Sequence, residues 1–104
     1  MPLMAARTIT ADNQWTTPLL LIGWFTVTIR RADGVPGSLG GTTVTVQRSV
    51  DGGVSYQDVD RWTNASEDIG FEADQALYTI GVKAGEFGGD DAYVGFTFVG
   101  SVRA

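Results

Sequence analysis

The chain has 104 residues, 43% apolar and 18% charged, enough for one hydrophobic core and too few for two domains of ordinary size. It contains no cysteine and no histidine, which excludes a disulfide framework, thiolate or imidazole metal sites, and the Ser-His and Cys-His nucleophile arrangements of most hydrolases. A net charge of −5 argues against nucleic acid as a partner, because phosphate contact needs a basic surface.

The charge is divided unevenly. Residues 1–50 carry four basic and two acidic side chains, whereas residues 51–104 carry three basic and ten acidic ones, so one half suits an acidic neighbour and the other suits solvent. The longest apolar run, residues 19–25, is far short of the roughly 20 residues of a membrane-spanning helix, so no membrane contact is expected. Met1 to Ala6 lacks the charged start and long apolar stretch of a signal peptide, and synthesis in a cytoplasm is the expectation.

In chain order, runs rich in Val, Ile, Thr and aromatics predict strands at residues 6–10, 19–31, 42–48, 56–62, 68–72, 77–84 and 92–100. No stretch keeps a 3.6-residue apolar period. The expected fold is all-β: a single two-sheet sandwich of about seven to eight antiparallel strands, immunoglobulin-like or jelly roll, over residues 14–104, preceded by an N-terminal arm at 1–13. Alternate side chains point to opposite faces of a strand, so Val44 and Val46, then Tyr78, Ile80 and Val82, then Val94, Phe96 and Phe98 each mark a core face.

Residues 19–31 break that rule. Leu19, Leu21, Phe25, Val27 and Ile29 fall on one face, but the other begins Leu20, Ile22, Trp24 before turning polar at Thr26. A two-layer sandwich buries one face of each sheet, so Leu20, Ile22 and Trp24 call for a cover: an N-terminal strand folded over them, or another subunit. Met4 and Arg7, in the arm, complete the predicted interface.

Between two predicted strands, Ser49-Val50-Asp51-Gly52-Gly53-Val54-Ser55-Tyr56 resembles the Asp-box hairpin, with Ser55 and Tyr56 where Thr and Trp are usual. Asp51 is suited to accept bonds from turn N–H groups, Gly53 to take positive φ, and Tyr56 to pack back across the turn, so Ser49, Asp51, Gly53 and Tyr56 read as a structural turn. Tyr78 opens a strand in the manner of a tyrosine corner or, equally, as a plain core residue. The carboxylate pairs Asp58/Asp60, Glu67/Asp68 and Asp90/Asp91 lack the spacing of a calcium loop, so no metal, cofactor or catalytic residue is expected. Trp15, Trp24, Trp62, Tyr56, Phe87 and Tyr93 suit either packing or an aromatic platform for sugars.

The segment from Gly41 to Gly53, the later Asp58-Val59, and Tyr78-Thr79-Ile80-Gly81-Val82-Lys83-Ala84-Gly85 together resemble small virion proteins of tailed bacteriophages, which share a hairpin of this kind, an acidic stretch and a Tyr-x-Ile-Gly strand. The resemblance covers roughly residues 41–100. It implies a non-enzymatic capsid decoration or cement protein, located in the virion, bound to the major capsid protein or another virion protein, and forming a homo-oligomer, a trimer by preference. The alternative is a carbohydrate- or receptor-binding module of a head fibre or tail appendage.

Overall fold

The computed structural model describes residues 5–98, Phe98 by its backbone alone. These residues form seven antiparallel strands and no helix: β1 (Ala5–Ile9), β2 (Gln14–Trp15), β3 (Leu19–Arg31), β4 (Val44–Ser49), β5 (Gln57–Trp62), β6 (Ser66–Val82) and β7 (Ala92–Phe98). The all-β class is the one the sequence predicts. The strands hydrogen-bond in the order β1-β7-β3-β6-β4-β5, with β2 beside the end of β6.

β6 makes this one continuous sheet. Its residues Ser66 to Tyr78 pair with β3, while Leu77 to Gly81 pair with β4 and Gly81 and Val82 with β2. The same strand thus belongs to both halves of the sheet, an arrangement consistent with a sandwich whose layers share an element. Sequence alternation divided it into 68–72 and 77–84 because the pattern lapses at Ala73, Asp74 and Gln75. There the pairing moves from Leu21↔Ala76 to Gly23↔Glu72, leaving a bulge opposite Ile22. Gly23 sits at φ 81°, a backbone conformation that costs any other residue steric strain.

The inward side chains of both halves meet in one core. Phe25, Tyr78 and Phe96 form its aromatic centre, with ring centroids 5.0 to 6.1 Å apart in tilted and edge-on arrangements. Val44, Val46, Ile80, Val82 and Val94 fill the space around them, as their alternation predicts.

The described part of the expected 1–13 arm is built into the sheet: β1 pairs with β7 from Ala5↔Phe96 to Ile9↔Ala92, and Ile9 is fully buried. β2 went unpredicted because two residues carry no period. It is held by the next residue, since Thr16 donates its N–H to Ile80 O at 2.9 Å and accepts from Thr79 Oγ1 on its carbonyl at 2.7 Å. The glycine-rich connection after β3 is pinned through Ala65 N to Gly37 O at 2.7 Å and Leu39 N to Thr63 O at 3.0 Å, with the Leu39 side chain in the core.

Candidate interaction surface

Leu20, Ile22 and Trp24 project from the first half of β3, away from the core. The described N-terminal residues do not cover them, because β1 lies in the plane of the sheet beyond β7. Exposure is 56% for Leu20, 44% for Ile22 and 52% for Trp24, and β6 adds Ile69 at 74% and Phe71 at 54%. The register explains the grouping, since Trp24 stands opposite Phe71 and Thr26 opposite Ile69, and directly opposed residues share a face. Trp24 and Phe71 touch, with ring centroids 4.7 Å apart and planes inclined at 54°.

Together these five side chains present roughly 500 Å² of apolar surface, in the upper part of the range for the largest patch on a soluble monomer, a patch that is itself often functional. Ile69 and Phe71 were not singled out from sequence. They lie in Ser66-Glu67-Asp68-Ile69-Gly70-Phe71-Glu72, where alternation is present but inverted, with Ile69 and Phe71 outward beside Glu67 and with Asp68 and Glu72 inward.

The inversion is possible because the inward carboxylates are satisfied. Asp68 accepts the Trp62 indole N–H at 2.6 Å. Glu72, 3% exposed, accepts two hydrogen bonds from Arg48, at 2.6 and 2.9 Å, one from the Tyr78 hydroxyl at 2.8 Å and one from Asp74 N at 3.1 Å. The Arg48 guanidinium, first, holds the Glu72 carboxyl down at about 2, and burial, with the Glu72 carboxylate beside it, pushes the Tyr78 phenol up to about 12. Tyr78 is therefore a core tyrosine tied to a carboxylate six residues back, whereas a tyrosine corner ties to backbone. This cluster sits at the bulge, since Glu72 is the residue at which pairing with β3 resumes opposite Gly23. A groove of about 200 Å³, lined by Val59, Trp62 and Asp68 together with Ile69 and Phe71 of the strip, is smaller than the roughly 300 Å³ at which small-molecule sites begin.

No family model, curated protein or solved structure matches the chain.

Of the other predicted interface residues, Met4 lies outside the described residues. Arg7 is exposed on β1, where its guanidinium donates to Trp15 O at 3.0 Å, tying β1 to β2. The turn after β4 has the bonding its sequence suggests. Ser49 Oγ donates to Asp51 at 2.7 Å and accepts Gly53 N at 2.9 Å, and Asp51 accepts Ser55 N at 3.0 Å and Ser55 Oγ at 2.6 Å. The Ser55 hydroxyl and N–H, then Ser49, hold the Asp51 carboxyl well below the usual carboxylate range. Gly53 has φ 94°, and the Tyr56 hydroxyl packs back over it.

The six aromatics considered for a platform are scattered. Trp15, Tyr56, Trp62, Phe87 and Tyr93 are each half-buried on different elements, and Trp24 alone joins the exposed strip, next to a Phe71 outside that set. The acidic pairs are likewise divided: Asp58 accepts Lys83 at 2.6 Å and Gln47 at 2.8 Å, Glu67 accepts Thr28 at 2.9 Å, and Asp90 accepts Arg31 at 2.9 Å. Among the described residues no group of three metal-ligating side chains converges.

Proposed function

We propose that the chain is a non-enzymatic structural protein of a virion, a decoration or cement protein of a tailed-phage head, which acts by docking with neighbouring virion subunits. The observation that carries the docking part is the exposed strip of Leu20, Ile22, Trp24, Ile69 and Phe71, displayed on a rigid paired sheet. Backbone already paired in a sheet is not ordered again on association, which removes one of the costs that binding carries. The virion part rests on the resemblance over roughly residues 41–100, whose hairpin falls on β4, its turn and β5.

A sugar- or receptor-binding module is the second reading, favoured by the exposed Trp24 and Phe71 pair. Two features count against it: the rings are inclined at 54°, so they do not form a flat stacking platform, and Leu20, Ile22 and Ile69 around them offer no hydrogen bonds to hydroxyl groups.

The test is mass spectrometry and immunogold microscopy of particles purified from the source of the chain. Regular labelling of heads at high copy number is the expected result. Absence of the chain from particles, or glycan binding by the isolated protein lost on Trp24→Ala, overturns the reading.

A further inference from the structure

The outer face of the β6-β3-β7-β1 half of the sheet is nearly free of charge. Its rows follow from the register. Trp24 stands beside Phe71, and the next row is Ile69, Thr26 and Thr97. Then come Glu67, Thr28, Gly95 and Ala6, and last Arg30, Tyr93 and Thr8. Of the twelve carboxylates in the chain only Glu67 occupies one of these rows, and it accepts the Thr28 hydroxyl at 2.9 Å. The one cation, Arg30, lies over the Tyr93 ring at 5.2 Å from its centroid. Asp74 stands at the margin, in the bulge opposite Ile22. The other carboxylates are on β5, in turns and loops, or turned inward.

From this we infer that the outer face of β6-β3-β7-β1 is the contact between two copies of this chain, packed face to face about a two-fold axis. The inference rests on the assembly reading above and names the neighbour at this face.

Three arguments select a second copy. The first is charge: two chains of net charge −5 repel, and a face whose described rows hold one carboxylate, Glu67, and one cation, Arg30, is the surface through which they meet with least repulsion. A basic partner would be matched by an acidic face, and this chain keeps its carboxylates elsewhere. The second is area. The apolar strip alone presents roughly 500 Å², the larger part of the roughly 800 Å² that each partner contributes to a standard interface. The third is shape, since a paired sheet face packs on its own copy with strands inclined by about 30°, apolar and threonine side chains interdigitating. A cyclic trimer needs two different complementary surfaces on each copy, whereas a two-fold pair needs one, and the described residues present one exposed apolar strip.

The test is sedimentation equilibrium of the purified chain, with far-ultraviolet circular dichroism to monitor the fold. A dimer is expected, persisting from 0.05 to 1 M NaCl because its contact is nearly free of charge, in contrast to an ion-pair interface. Ile69→Lys and, separately, Thr26→Arg each place a charge in the centre of the face and are expected to weaken the dimer at least tenfold. Both side chains point away from the core, so the folded spectrum should remain. Val54→Lys in the turn after β4, 85% exposed and off the face, is the control and should leave the dimer unchanged.

A monomer at high concentration, a trimer, or a dimer indifferent to both face substitutions overturns the inference. The outcome is separable from that of the proposed function. A monomeric chain found on virion heads removes the pairing and leaves the virion role, and a face-paired dimer absent from particles does the reverse.

Discussion

Arg48 on β4 grips Glu72 on β6 with both carboxylate oxygens engaged, Nε at 2.6 Å and Nη2 at 2.9 Å. Glu72 is buried at the bulge, and Tyr78 donates to the same carboxylate from within the core. This pair holds the two halves of the sheet at the point where β6 passes from one to the other.

Removing one partner of a buried charge leaves the other without compensation. Tyr78→Phe deletes a hydrogen bond to a charged acceptor and should lower stability by about 1.5–3 kcal/mol in urea unfolding. Arg48→Leu should cost more than Tyr78→Phe, since it strands the Glu72 carboxylate. An Arg48→Leu chain as stable as the parent would show that the pair adds nothing.

The same carboxylate sets an acid limit. The folded-state pKa of Glu72 is depressed to about 2, below the roughly 4.3 of a free glutamate. The ionised form is thus favoured in the folded protein. Its contribution is present in full above the ordinary value and is lost as pH falls from there through the folded value. Asp33, brought to about 2 chiefly by Arg31, and Asp58, lowered chiefly by Lys83, act in the same direction. Melting temperature should therefore fall steeply below pH 4, and Glu72→Gln, though less stable at neutral pH, should show a shallower acid slope.

Gly23 holds φ 81° inside β3, beside the bulge. Gly23→Ala should cost about 1–2 kcal/mol, the price of the left-handed region for a residue with a Cβ. In a domain of this size that corresponds to a fall in Tm of about 4–12 °C by differential scanning calorimetry.

The hairpin turn is distant in chemistry from the outer face. Asp51→Ala removes the acceptor of both Ser55 bonds and should lower Tm by about 5 °C. Ser55→Ala, which keeps the backbone bond from Ser55 N, should do less. Neither should alter the sedimentation of the chain, and a change in association by either would tie the turn to the contact surface.

Much of this fold is legible in the sequence wherever one face of a strand is apolar and the other polar. Val44/Val46 and Val94/Phe96 were placed inward by alternation alone, and the excess of apolar residues at Leu20, Ile22 and Trp24 pointed to the exposed strip. Ile69 and Phe71 were hidden by the reverse pattern. Reading them outward requires Asp68 and Glu72 to be inward, and those are tolerated there only because Trp62, Arg48 and Tyr78, residues 6 to 24 positions away, satisfy them. The continuity of β6 was masked by the same cluster, since a bulge inserts residues that break the period without breaking the strand.

The placement of β3 also has a consequence for synthesis. Its neighbours in the sheet are β6 and β7, so Ile29 waits for Ser66 and Phe25 for Phe98. A ribosome releasing the chain from its N-terminus therefore exposes the most apolar segment of the protein well before the strands that flank it are made. β3 cannot be flanked on both sides until residues 66–98 have been made, and folding is slow for a region of this length because the closing contacts are distant in sequence. Until then the run from Leu19 to Phe25 is a candidate for chaperone capture or for premature pairing between nascent chains.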